Sequence, residues 1–249
     1  MGPMTTDHTP GIRARRRAGI EADLRDVGRR HLAQHGAAAL SLRAVARDMG
    51  RTPSSLYRYV RDRDDLLTVL IVDAYDDLGD TLDAAVADRS TPRSRFEAFA
   101  NALRAWAIAH PSEYTLLYGS PVPGYHAPRE TTVRAGTRPI LTFGAIAADA
   151  EVPAVDGTHA SRQRAAAAAL SATAASDEVA GLTLTADALA RTLVVWNLLL
   201  GSIASELFEQ MGTITDRPDD VWAGVVDLGG GLLFGRQGVS ARGRPATSG

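Results

Sequence analysis

The chain has 249 residues, 45% hydrophobic and 22% charged, with a formal net charge of −2. That is the balance of an ordinary globular protein able to bury a substantial core, and it excludes a disordered or membrane-embedded chain. The absence of cysteine excludes disulfides, thiolate nucleophiles and Cys-ligated zinc.

No run of about 18 uninterrupted apolar residues occurs, so no bilayer span is expected. The basic stretch Met1 to Gly19 has no apolar segment behind it, unlike a secretory leader, and a cytoplasmic location is expected. The small net charge hides a segregation. Residues 1–63 carry 13 Arg against 6 acidic residues, whereas residues 64–249 carry 14 Arg against 23. A basic N-terminal quarter on an acidic body suits a phosphate-binding module joined to a domain that does not bind nucleic acid; an Arg-rich surface helix is the competing reading.

Residues 1–12 and 236–249 lack periodic apolar residues and are expected to be disordered. Ile20, Leu24, Val27, His31 and Leu32 recur at helical spacing from about Arg13, and Gly36 supplies a stop. Ser41 precedes Leu42, Val45, Ala46 and Met49 at i, i+3, i+4, i+7 spacing, and Gly50 ends that second helix. Thr52 then offers a cap and Pro53 suits a first helical position, so a third helix is predicted from Pro53 to about Val60.

Asp62 is placed to cap a long amphipathic helix carrying Leu66, Leu67, Leu70, Ile71, Ala74, Leu78 and Leu82 and ending near Arg89. Thr91-Pro92 restarts a helix, which Pro111 ends while allowing a short successor through Leu117. Three prolines and two glycines make residues 119–128 a loop. Further helices are predicted at 129–150, 164–175, 185–210 and 221–234, with a break around Pro153 and Gly157. Gly229, Gly230 and Gly231 are expected to interrupt or cap the last one. No period-2 strand pattern is present. The expected fold is all-α, with a three-helix head over 13–62 and a larger helical body over 63–235.

Three short helices with a Gly-containing turn and a basic surround describe a helix-turn-helix, whose second helix enters the DNA major groove. Leu56 and Val60 would pack inward on Val45 and Met49, leaving short hydroxyls, phenols and a guanidinium outside. Ser and Thr bond base edges or phosphates, Arg forks onto guanine, and tyrosine hydroxyls donate to phosphate oxygens.

The stretch Gly36 to Leu67, GAAALSLRAVARDMGRTPSSLYRYVRDRDDLL, resembles the N-terminal signature of the TetR family. It has a glycine after the first helix, an Ala-Arg-x-x-Gly end to the second, a Leu-Tyr in the third, and a basic residue before an acidic-acidic-Leu-Leu opening of the fourth. The resemblance implies phosphate contacts at Tyr57 and Arg63, cap residues near the backbone at Ser41 and Thr52, and groove-facing readers at Ser54, Ser55, Arg58 and Tyr59. Arg43 joins this DNA-binding set. Two departures stand out: Tyr59-Val60 replaces the usual His-Phe, and Arg63 replaces the usual Lys.

The C-terminal half resembles one branch of the same family. His110-Pro111-Ser112-Glu113-Tyr114-Thr115-Leu116-Leu117-Tyr118-Gly119 and Tyr125-His126-Ala127-Pro128 are similar to the segment after its fifth helix. Trp196 to Glu206 is similar to its Trp-x-x-Leu-His-Gly helix, with Leu200 in place of the His. The resemblance implies a ligand-responsive regulator, most simply a repressor, that binds a pseudo-palindromic operator in double-stranded DNA. It also implies a homodimer joined through the last two helices and release by a small apolar or amphipathic effector.

Trp106, Tyr114, Tyr118, Phe143 and Trp196 are the candidate ligand-pocket residues, with plain core packing as the alternative. His31 and His35 have metal-compatible spacing but no third ligand nearby and no HExxH frame, so no metal site is expected. G-x-S-x-G, Walker A and dinucleotide motifs are absent, and spacing alone places no carboxylate pair as acid and base. No enzymatic activity or cofactor is expected; an all-α hydrolase or small-molecule carrier is the competing class.

Overall fold

A computed structural model describes residues 11–149, 158–175, 184–210, 212 and 215–235. The predicted break at Pro153 and Gly157 and most of the two predicted disordered ends lie outside the described residues. Every regular element among them is helical, so the all-α expectation holds.

The helices are α1 (Ile12–His35), α2 (Leu42–Asp48), α3 (Pro53–Leu56), α4 (Arg63–Ala87), α5 (Pro92–Ala109), α6 (Pro111–Tyr118), α7 (Arg129–Ala148), α8 (Thr158–Ala174), α9 (Ala186–Leu207) and α10 (Pro218–Phe234), with a 3-10 turn at Ala37–Ala39. The chain forms two compact units. One comprises Met1–Asp77 and Ala109–Gly136, the other Leu78–Ile108 and Thr137–Gly249. Compactness therefore divides α4 after Asp77.

In the first unit, α1 buries Ile20, Leu24, Val27, Gly28, His31 and Leu32. Gly28 is where α4 comes close: a Cβ there would stand 3.0 Å from a Leu70 methyl. Asp73 of α4 accepts from Arg29 of α1, with Nε at 2.8 Å, and forms an ion pair with Arg25 of α1 at 3.2 Å. The chain leaves α1 through Gly36 at φ +72°, a left-handed conformation that glycine adopts without a Cβ clash. Ser41 caps α2 as predicted, its Oγ accepting from the Ala44 amide at 3.4 Å.

In the second unit, Phe96, Phe99 and Phe143 are fully buried, and Phe99 stacks on Phe143 with centroids 5.2 Å apart. Trp196 of α9 joins them, 6.1 Å from Phe143. Arg104 of α5 donates two bonds to Glu206 of α9, at 2.7 and 2.8 Å, and one to Asp219 of α10 at 2.8 Å, while its guanidinium lies 5.6 Å from the Trp222 ring. Arg138 of α7 binds Asp80 and Asp83 of α4 at 2.7 Å each and crosses α4 at Gly79, where a Cβ would fall 2.7 Å from its Cδ.

Two expectations change, those for the glycines of the last helix and for a membrane span. The glycines at 229–231 do not break the last helix, which runs through them to Phe234 and closes on Gly235. Two of them serve close packing instead: a Cβ on Gly229 would lie 3.0 Å from Phe96 and 3.1 Å from Val195, and one on Gly230 3.3 Å from Arg93, while Gly231 faces open space. Pro139 sits inside α7 without ending it. Finally, α9 is long and apolar enough, by length and composition, to cross a membrane; a hydropathy average tolerates Arg191, where a search for uninterrupted apolar residues does not. In this structure α9 packs against α8 and α10 and buries Leu189, Val195, Leu199 and Ile203.

Gly229→Val is expected to destabilise the fold by about 1–3 kcal/mol through overpacking against Phe96 and Val195. Gly19→Ala, in open space on α1, is expected to stabilise it by up to about 1 kcal/mol through helix propensity. Urea denaturation of the two variants measures both.

Candidate nucleic-acid interface

An isolated helix of four residues has no stability of its own in water, so α3 stands where its neighbours hold it. Leu56 is fully buried and Val60 nearly so, in one cluster with Leu24, Val27, Leu42, Val45, Ala46, Leu66 and Leu67, with Met49 partly buried against it. The expected inward pair is therefore inward. The expected length is not: α-helix ends at Leu56, and residues 57–59 continue as turns in which the Tyr59 and Val60 amides both donate to the Leu56 carbonyl, at 2.8 and 3.0 Å. Burying Val60 draws the chain in after a single helical turn.

α2 is fixed to α1 by the buried His31, whose Nε2 lies 2.7 Å from Asp48 Oδ2. This bond holds the Asp48 carboxyl below its usual range, with Arg47 adding to the effect. His31 thereby serves packing, and its ring lies 5.6 Å from that of His35 at a 60° tilt.

The predicted DNA-facing residues divide into two groups. Arg43, Thr52, Ser54, Tyr57 and Arg58 are exposed, and among the described residues Arg43 and Arg58 make no ion pair. Arg51, between α2 and α3, makes none either. The others have structural work. Ser41 Oγ is the α2 cap; Ser55 Oγ donates to the Thr52 carbonyl at 2.7 Å; Tyr59 is half-buried against the core. Thr52 makes no cap bond to a backbone amide, and its hydroxyl pairs with Ser54 Oγ at 3.1 Å. Arg63 reaches back to the Ala37 and Ala38 carbonyls, at 2.9 and 3.2 Å, and to Asp64 Oδ1 at 3.1 Å. It clamps the turn after α1 onto the start of α4. No spacing in the sequence announces that long-range bond.

The entry to α4 has a second clamp. Asp62 Oδ1 accepts from the Asp65 amide at 2.8 Å, the expected cap, and Asp65 takes the Arg61 backbone and guanidinium, the latter at 2.6 and 2.7 Å.

Of the five candidate pocket residues, Tyr114 and Tyr118 lie in the first unit and Trp106, Phe143 and Trp196 in the second. Tyr114 is buried, which pushes its hydroxyl up to about 12. Tyr118 is pushed further up by burial and by its neighbours Tyr75 and Tyr114. Two cavities of the second unit lie elsewhere. One of about 250 Å³ between α9 and α10 is lined by Ser205, Glu206, Glu209 and Trp222; another of about 280 Å³ is lined by Leu170, Arg191, Val194 and Leu232.

A short, externally braced α3 following a capped α2, with unpaired guanidinium groups on the exposed side, defines a helix-turn-helix DNA-binding protein. Residues 24–70 match bacterial regulatory proteins of the tetR family, and residues 96–228 match the tetracyclin repressor-like C-terminal domain. The chain belongs to the TetR family, a family of transcriptional regulators and not of enzymes.

It is 51% identical over 141 residues to HTH-type transcriptional regulator Mb1846 of Mycobacterium bovis and, equally, to Rv1816 of Mycobacterium tuberculosis; the match spans 55% of this chain and 60% of each relative. The solved structure of SCO4313, named as a regulatory protein, is 31% identical with a TM-score of 0.73, covering 89% of this chain and 98% of that one. FadR from Bacillus subtilis, in complex with stearoyl-CoA, shares the fold at 10% identity, with a TM-score of 0.56 over 87% of this chain and 99% of that one.

Asp65 is held to about 2 by Arg61. A depressed folded-state value contributes stability above the ordinary carboxylate range and loses it as pH falls towards the depressed value. Stability from this clamp is therefore present at neutral pH and lost between about pH 4 and pH 2. Arg61→Ala is expected to raise Asp65 part of the way to the ordinary range, since the backbone amide of residue 61 still donates to it; NMR titration of its carboxyl measures the rise.

Proposed function

We propose that this chain is a cytoplasmic, ligand-responsive repressor that binds a pseudo-palindromic operator as a homodimer. Residues 13–62 act as the DNA-binding head and residues 63–235 as the ligand-binding and dimerisation body. The observation that carries this reading is the braced α3 with its exposed outer side. Arg58 and Ser54 read base edges in the major groove, while Tyr57, Thr52 and Arg43 bond backbone phosphates. Ser41, Ser55, Tyr59 and Arg63 contribute chiefly by fixing the backbone from which the others reach out, with Arg63 also close enough to the surface to meet a phosphate.

Dimerisation through α9 and α10 is supported by an unpartnered apolar stripe. Val221, Leu228 and Leu232 follow each other at i, i+7, i+11 on α10 and are 52%, 57% and 39% exposed, and Val194 on α9 is 59% exposed. Two such helices from each copy would make a four-helix contact that removes this surface from water.

The effector is a small apolar or amphipathic molecule received in the second unit, with Trp106, Phe143 and Trp196 as its candidate lining, in a body of the Trp-x-x-Leu-His-Gly branch in which Leu200 replaces the His. The FadR complex supports the reading only to the extent that this fold accommodates an acyl-bearing ligand. Binding shifts α4, the helix shared by both compact units, changes the spacing of the two heads and releases DNA.

Gel-shift assays with the DNA upstream of the chain's own gene test the core of this reading. A sequence-preferring complex at moderate salt is expected, and its absence across candidate operators would sink it. Arg58→Ala is expected to cost about 1–3 kcal/mol on the preferred site and to relax base preference at one position. Leu228→Glu is expected to yield monomers by light scattering and to abolish the preferred complex.

A further inference from the structure

The first two turns of α1 project beyond the core. Residues 11–19 are all exposed, and the buried stripe begins only at Ile20. That stripe steps through His31, Val27, Leu24 and Ile20 at intervals of three and four residues. Continued towards the N-terminus at the same intervals, it passes through Arg17 and Arg16 and then Arg13. Where the helix leaves the core, its inward face changes from apolar to arginine. Arg15 lies on the opposite side.

Four guanidinium groups within five residues, with no acidic residue in the first turn, sit at the positive end of the helix dipole, where cations are unfavourable. Arg17 has a partner in Glu21, 2.7 Å away, but both are solvated and such a pair contributes little. Arg13 and Arg16 make no ion pair among the described residues. Among the described residues this cluster carries more cations than nearby carboxylates. Its position is also informative: Leu24 and Val27 of α1 lie in one cluster with Leu56 and Val60. The arginine face thus begins about two turns before the part of α1 that packs with α3 and the segment after it.

The geometry points to the start of α1 as a second DNA-contacting element, in which Arg13, Arg16 and Arg17 engage backbone phosphates flanking the groove entered by α3. This rests on the DNA-binding reading above. Three solvated guanidinium groups on a helical arm carry no base-reading geometry, so their contribution is affinity and salt dependence shared by all sequences.

Salt titrations of duplex binding by the full chain, on its upstream DNA and on mixed-sequence DNA, test it. Arg13→Ala/Arg16→Ala/Arg17→Ala is expected to lower the slope of log K against log salt by about 2 to 3, from about 0.9 per phosphate contact, on both DNAs. Its melting temperature should stay near that of the unmodified chain, because all three side chains are solvated. Arg15→Ala is expected to leave the slope unchanged. A triple variant with the unmodified slope, alongside an unmodified chain that binds DNA steeply, overturns the arm and leaves the helix-turn-helix reading standing. An Arg15→Ala slope reduced by about 0.9 overturns the assignment of a face, since net charge alone would then suffice. An unmodified chain with no salt-steep duplex binding overturns the DNA reading itself.

Discussion

The burial of Leu56 and Val60 governs the presentation of α3. A single helical turn costs more to nucleate than its own hydrogen bonds return, so the orientation of Arg58 and Tyr57 is inherited from the pocket formed by Leu24, Val27, Val45, Ala46, Leu66 and Leu67. That pocket in turn depends on three crosslinks outside it. His31 to Asp48 sets α2 on α1; Arg25 and Arg29 to Asp73 set α4 on α1; Arg63 to the Ala37 and Ala38 carbonyls closes the start of α4 onto the turn between α1 and α2. The exposed side of α3 takes its placement from these neighbours.

The same device recurs in the second unit with different partners. Arg104 joins α5 to α9 and α10, and Arg138 joins α7 to α4. With no Lys in the chain, each of these crosslinks other than His31 to Asp48 uses a planar guanidinium fork able to bond two acceptors at once, a geometry that an ammonium group does not offer. The cost falls on backbone spacing. Gly79 is needed for Arg138 to lie across α4, and Gly229 and Gly230 for α10 to approach Phe96 and Arg93.

Local signals in the sequence were legible because they act within one or two turns. The apolar stripe of α1, the Gly36 stop, the Ser41 cap and the Asp62 cap all involve neighbours in sequence, and each is found where the spacing predicts. Signals that depend on partners far along the chain were not. Arg63 has the residue type of a phosphate contact but donates to carbonyls 25 and 26 residues earlier. The three glycines of α10 illustrate the same limit. In isolation they weaken a helix, whereas a helix pressed onto Phe96, Val195 and Arg93 requires two of them, Gly229 and Gly230. The candidate pocket was least legible, because aromatic residues at helical spacing look alike whether they face a ligand or each other, as Phe99 and Phe143 do.

The apolarity of α9 follows from having two faces to cover. One face, with Leu189, Val195, Leu199 and Ile203, is buried within its own chain; Val194, on another side, stays in water together with Val221, Leu228 and Leu232 of α10. A helix with one buried face would carry charged residues opposite it. Between Arg191 and Glu206, α9 carries none. Its composition approaches that of a membrane-crossing helix, and burial on two sides, by its own chain and by the second copy proposed above, would make the same demand on the residues as lipid. A stripe spaced i, i+7, i+11 along the adjoining α10 favours the second copy, since lipid would ask for apolar residues all round and α10 carries Asp219, Asp220 and Asp227.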